Sequence, residues 1–340
     1  MPAQPYVPWR FGQRLCERFQ LSTPLVLAPM ALASGGTLAA ACAQAGALGL
    51  VGGGYGDLAW TQREYNMAVS LLADDAPGLQ RLGCGFITWK LDEDASALDW
   101  VLAQAQAPRA LMLSFGDPRP YAPRIAAAGA RLICQVQRLD QVPLAIEAGA
   151  SAIVAQGGEA GGHGMNAQEG RGTFALVPEI ADWLAKHAPH TLLLAAGGIA
   201  DGRGLAAALM LGADGVLVGS RLWATQESLA AAGAKAQATT TSGDGTARSQ
   251  VFDILRRKNW PAPYDFRAIR NDLHRHWESR LSELQAQPEA ARADYEAGVK
   301  AGDFNRAHAT VGEAVGLIQD VPRAAEVIAR MTQQARQLLN

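Results

Sequence analysis

Eight times between residues 24 and 220 the chain sets down a short apolar run without alternation, breaks it with Gly, Asp or Ser, and follows most of these runs with an Ala-rich stretch of helical pattern. A run that is apolar on both sides of an extended backbone needs cover on both sides, which is the situation of a parallel strand flanked by helical crossovers. The runs are PLVLAPM (24–30), GLVGGG (49–54), LGCGFITW (82–89), ALMLSF (110–115), RLICQVQ (131–137), AIVAQGG (152–158), LLLAAGG (192–198) and GVLVGS (215–220). Several intervening helices close on one glycine before the next run, and Gly46, Gly129, Gly149 and Gly212 are predicted as left-handed caps. The repeat predicts an α/β chain folded as a (β/α)8 TIM barrel, with an open doubly wound sheet as the structural alternative.

After Ala224 this grammar stops. A chain of 340 residues exceeds the roughly 250 of a bare barrel, so a smaller second unit is expected. Residues 1–225 together with 317–340 are assigned to the barrel, the stretch 321–339 reading as its eighth, amphipathic helix. Residues 226–316, rich in Arg, Ala and Glu, are predicted to form a mainly helical substrate or lid domain inserted after strand eight, over the mouth of the barrel. Within it Arg256, Arg257, Lys258, Arg267 and Arg270 make a basic stretch. It reads as a solvated face, with contact to a cofactor phosphate or to the second subunit of a homodimer as the alternative.

A formal net charge of −2 gives no long-range attraction to nucleic acid or to an anionic membrane, so a small-molecule partner is expected. The four cysteines, Cys16, Cys42, Cys84 and Cys134, show neither disulfide-framework nor metal-knuckle spacing, which fits a reducing cytoplasm. No apolar run approaches the roughly 18 residues of a membrane span. No export signal is read at the start of the chain, and no metal is expected.

Chemistry is expected at the carboxyl ends of the strands. The turns AAGGIADGRG (195–204) and VGSR (218–221) follow runs seven and eight, the common phosphate site of such barrels. Gly197 and Gly198 allow close backbone approach there, and Gly219 and Ser220 add amides and a hydroxyl; the competing reading is tight turn geometry alone. QGGEAGGHG (156–164) is expected to carry His163 on a glycine-rich loop at the mouth, where an imidazole can act as a base or a hydrogen-bond donor. The alternative is a structural or surface histidine. The other five histidines are expected to be solvated. LAPM ends run one, and Gly85 leaves room either beside a flat ring or for packing inside the barrel.

LAPM, EAGGHG, AAGGIADGRG and VGSR resemble the nitronate monooxygenases, formerly called 2-nitropropane dioxygenases, over about residues 20–225 and again near 312–320. The resemblance implies an FMN-dependent oxidoreductase with His163 facing the flavin. The residues expected around the cofactor are Ala28, Pro29, Met30, Gly85, Gln135, Gln156, Gly161, Gly162, Ala196, Gly197, Gly198, Gly219 and Ser220. Gln135 stands where many relatives carry lysine and Gln156 where some carry aspartate, which bears on flavin tuning and substrate choice. The implied reaction takes a nitronate or nitroalkane and O2 to a carbonyl compound and nitrite. An FMN-dependent NAD(P)H reductase and a flavin-free barrel for a phosphate ligand are the rival readings.

Overall fold

The computed structural model describes residues 11–339. Its strands in chain order are β1 (Leu25–Leu27), β2 (Gly49–Gly54), β3 (Leu82–Ile87), β4 (Ala110–Ser114), β5 (Arg131–Val136), β6 (Ala152–Gln156), β7 (Gly162–Met165), β8 (Leu192–Ala196), β9 (Gly215–Val218), β10 (Thr246–Ser249) and β11 (Tyr264–Ile269). Eight of them, β1–β6 with β8 and β9, pair in parallel in the order β1-β9-β8-β6-β5-β4-β3-β2. The ends of that row meet: Val26 bridges Leu48, Leu27 N donates to Leu48 O at 2.9 Å, and Leu48 N donates to Leu25 O at 3.0 Å. The sheet therefore closes on itself as a (β/α)8 barrel, each strand lying in one of the eight apolar runs.

The closure explains why those runs do not alternate. One face of each strand fills the barrel and the other meets the helical layer, so every residue of β1, β2, β3, β4, β6, β8 and β9 is buried. Each Leu, Ile or Val enclosed this way contributes about 1.5–3 kcal/mol of hydrophobic stabilisation. Between helix and strand the chain must turn sharply, and Gly46, Gly129, Gly149 and Gly212 take φ of 84°, 73°, 78° and 96°, the left-handed conformation expected of them. The last helix, Ala324–Leu339, buries Val327, Ile328, Met331 and Ala335 and packs against helices Gly202–Met210 and Gly36–Gln44, the place of an eighth barrel helix.

Two features depart from the sequence reading. His163 lies on a strand, β7, and the segment after β9 contains strands β10 and β11 among its helices. These three form an antiparallel sheet in the order β10-β11-β7, with His163 opposite Phe266 and Gly162 opposite Arg267. Main-chain hydrogen bonds so bind the loop after β6 to the segment that follows the barrel. That segment has its own core of Val251, Phe252, Leu255, Phe266, Ala268, Leu273, Leu284, Ala291 and Tyr295.

Candidate active site

The carboxyl ends of the barrel strands open into a cavity of about 730 Å³, within the usual size of a small-molecule or cofactor site. Ala28, Pro29 and Met30 line it just past β1, Gln135 and Gln156 from β5 and β6, Gly161, Gly162 and His163 from the next loop and strand, Ala196 from the end of β8, and Gly197, Gly198, Gly219 and Ser220 from the turns after β8 and β9. Gly85 does not. A Cβ at that position would stand 2.4 Å from Pro29 Cγ, so this glycine makes room for Pro29 to pack rather than facing a ring in the cavity.

In the turn after β8 the backbone runs left-handed at Gly197 (φ 98°) and Gly198 (φ 74°). Among the described residues no main-chain hydrogen bond uses the amides of Gly197, Gly198 or Gly219. A methyl at Gly219 would stand only in ordinary contact, 3.8 Å from Ala28 Cβ and Met30 Sδ. Free amides beside an open wall suit an oxyanion such as a phosphate. The first amides of helix Gly202–Met210 are already taken, since Asp201 accepts from Arg203 N and Gly204 N, and Gln334 Oε1 accepts from Gly202 N. The Ser220 hydroxyl accepts from Gly312 N at 2.9 Å.

Polar side chains hold the loop that leads to His163. Gln156 Nε2 donates to His163 O at 3.1 Å, while Gln156 Oε1 accepts from Gln137 Nε2 at 2.9 Å and from Gln135 Nε2 at 3.2 Å. The half-buried Arg248 guanidinium donates to Ala160 O and Asp265 O, both at 2.7 Å, and to Gly162 O at 3.2 Å. Its pKa is brought down to about 10 by burial and by neighbouring Arg267, so it stays charged at neutral pH. Gly161 closes the set: a Cβ there would stand 2.4 Å from the Val311 carbonyl carbon, so only glycine lets the two backbones approach this closely.

His163 is 9% exposed. Its Nε2 lies 2.9 Å and 3.1 Å from the two carboxylate oxygens of Asp253, which is itself buried. One face of the imidazole is stacked on Trp260 with ring centroids 3.5 Å apart, and Phe266 tilts against it at 4.8 Å. Burial pushes the imidazole down to about 4, outweighing the opposite pull of Asp253, with Arg256 and Arg248 adding to the downward effect. At neutral pH the ring is uncharged.

Other residues at the cavity were not anticipated. Trp260 stands at the centre of an aromatic group, edge-on to Phe115 at 5.0 Å, Trp89 at 5.5 Å and Tyr264 at 6.1 Å, and donates from Nε1 to the Tyr55 hydroxyl at 3.0 Å. His308 is not solvated: it lines the cavity, Tyr295 Oη lies 2.7 Å from its Nδ1, and burial takes it down to about 3. His274 is buried too. Arg256, Arg257 and Lys258 line the cavity, Arg256 and Lys258 half-buried and Arg257 exposed at its rim. Apart from Gln135 and Gln156, the residues around His163 come from segments whose sequence shows ordinary polar or aromatic composition, the basic run being the one local signal among them. Among the described residues no group of His, Cys, Asp and Glu is placed to hold a metal ion, and no helix is long and apolar enough to cross a membrane.

Fold and site define a barrel enzyme with its chemistry at the carboxyl ends of the strands. Its family follows from comparison: the nitronate monooxygenase family model matches residues 93–334. A nitronate monooxygenase of Metarhizium robertsii, npaC, is 34% identical across 93% of this chain and 92% of that protein, and one of Neurospora crassa is 31% identical across 92% and 89%. The chain belongs to the nitronate monooxygenase family and is an oxidoreductase. Among solved structures, FabK from Thermotoga maritima is 26% identical and covers 97% of each chain with a TM-score of 0.77. A nitroalkane oxidase from Streptomyces ansochromogenes, 24% identical with a TM-score of 0.76 over 96% of this chain and 100% of that one, shares the fold.

Proposed function

We propose that this chain is an FMN-dependent nitronate monooxygenase that converts nitronates and nitroalkanes, with O2, to carbonyl compounds and nitrite. The observation that carries the reading is His163 held by Asp253 on the wall of the one cavity that the glycine turns after β8 and β9 also line. FMN fits the residues present: the open amides of Gly197, Gly198 and Gly219 suit its phosphate, and the wall of Ala28, Pro29 and Met30 is apolar enough for a flat ring. When bound, the flavin supplies an electron acceptor and a route to O2.

The part played by His163 follows from its partner. A carboxylate accepts hydrogen bonds, so with a neutral ring the shared hydrogen is on Nε2 and the lone pair is on Nδ1. His163 is then a base for the α-proton of a neutral nitroalkane, and donation to nitronate oxygens falls to another residue. The stack on Trp260 holds the ring plane. Residues 226–316 act in this reading as a substrate-side unit over the barrel mouth, since they contribute Asp253, Trp260 and His308.

The test is purification of the protein, a visible spectrum for flavin, and assay of nitrite and O2 consumption with an alkyl nitronate and with the matching nitroalkane. Activity on both, with the nitroalkane rate collapsing in His163→Ala and the nitronate rate largely kept, supports the proposal. Rapid anaerobic bleaching by NADH with no nitrite formed would move the assignment to a reductase. A colourless protein that takes up no FMN sinks the flavin reading.

A further inference from the structure

Arg256 is a cation of the cavity wall that no carboxylate among the described residues pairs with. It follows the short helix Val251–Leu255 and lines the cavity wall. Its Nη1 is buried with no hydrogen-bond acceptor. Among the described residues it makes no ion pair, whereas adjacent Arg257 pairs with Glu296 at 3.2 Å and Arg267 pairs with Glu313 at 2.8 Å. The carboxylate three residues before it, Asp253, has both oxygens on His163. The guanidinium lies over Phe266 at 4.7 Å from the ring centroid, and the same ring touches His163 at 4.8 Å. This stacking accounts for the plane of the guanidinium but leaves Nη1 without an acceptor.

A buried charged donor without an acceptor is costly to keep. We infer that Arg256 is a specificity-determining residue that anchors a planar, two-oxygen anion of the substrate, a carboxylate or a nitronate, beside His163. The guanidinium fork matches such a group in a way that a point charge does not. Its neighbours agree with this role. Its charge reaches His163, His308 and Tyr295, and its guanidinium also meets the Tyr55 hydroxyl, all four facing the same cavity; burial and this charge both hold the two histidines toward the neutral form, so they do not compete for the anion. Lys258, whose ammonium sits 4.2 Å from the Tyr55 ring centroid, adds a second positive charge to that wall. The inference rests on the proposed reaction only for which anion is the natural one.

The experiment is calorimetric titration of the flavin-loaded protein with butyrate and with its neutral counterpart butyramide, in wild type, Arg256→Lys and Arg256→Met. Wild type is expected to bind butyrate at least tenfold more tightly than butyramide. Arg256→Met should lose roughly tenfold to a hundredfold in butyrate affinity with butyramide unchanged, and Arg256→Lys should fall between the two. With an alkyl nitronate, KM should rise in the same order while kcat changes little. Equal binding of the two probes by wild type, or butyrate affinity untouched in Arg256→Met, overturns the inference. So does a loss of flavin from Arg256→Met, which would assign the side chain to the cofactor phosphate. A protein that holds butyrate through Arg256 yet leaves nitronates unoxidised supports the anchor and overturns the proposed reaction.

Discussion

His163 Nε2 and Asp253 Oδ1 lie 2.9 Å apart, both side chains buried, although ninety residues of chain separate them. The pair ties the loop after β6 to the segment beyond the barrel and decides which nitrogen of the ring carries the hydrogen.

Replacing Asp253 by alanine removes the acceptor that Nε2 has among the described residues. The change should destabilise the fold by about 1–3 kcal/mol, the cost of a buried donor left unpaired. It should also slow proton removal from a nitroalkane roughly a hundredfold, because the tautomer with its lone pair on Nδ1 is no longer selected. Asp253→Asn can still accept through its amide oxygen and should recover part of that rate. Parallel assays with nitroalkane and preformed nitronate check this; equal losses on both substrates would assign Asp253 to folding alone.

Burial depresses the pKa of His163 to about 4 and of His308 to about 3, from 6.5. A depressed base binds its proton more readily in the unfolded chain, so its share of stability is complete above pH 6.5 and is lost as pH falls from there toward 4 for His163 and toward 3 for His308. Urea midpoints measured between pH 7.5 and 4 should drop, and His308→Gln should flatten part of the slope. Over the same range kcat/KM for a nitroalkane should show no inflection near 6.5.

The two glycine turns should fail in different ways. At Gly197 an alanine would take φ 98° and place its Cβ 3.0 Å from Gly157 O, so Gly197→Ala should lose about 1–3 kcal/mol of stability. At Gly219 the added methyl meets only ordinary contacts. Gly219→Ala should melt within about 0.5 kcal/mol of wild type yet bind flavin more weakly, because the methyl occupies the cavity wall. Melting curves and flavin-to-protein ratios separate the two; full flavin retention in Gly219→Ala would mean that the cofactor does not use this turn.

Gly85→Ala should act through Pro29. The new Cβ would stand 2.4 Å from Pro29 Cγ and 2.6 Å from Pro29 Cβ, and such overpacking costs about 1–3 kcal/mol. Since Pro29 is part of the cavity wall, flavin retention and melting temperature should fall together. Unchanged flavin binding in a destabilised Gly85→Ala protein would show that this wall does not support the cofactor.

By itself the sequence determined the barrel, because a parallel strand buried on both faces must be apolar throughout, and because Gly46, Gly129, Gly149 and Gly212 mark where four of the helices end. Those are local properties, written residue by residue. His163 and the turns at Gly197, Gly198, Gly219 and Ser220 were legible for the same reason, lying just past recognisable strands. Only the tertiary structure decided what surrounds them. GHGM carries no strand pattern, and β7 exists through its pairing with β11 about a hundred residues later. That pairing is what brings Asp253, Trp260 and Phe266 against His163 and places Arg256 and His308 on the same cavity. A run such as RRK reads as a solvated surface until the fold shows what it faces, since burial depends on contacts between distant segments rather than on the composition of either one.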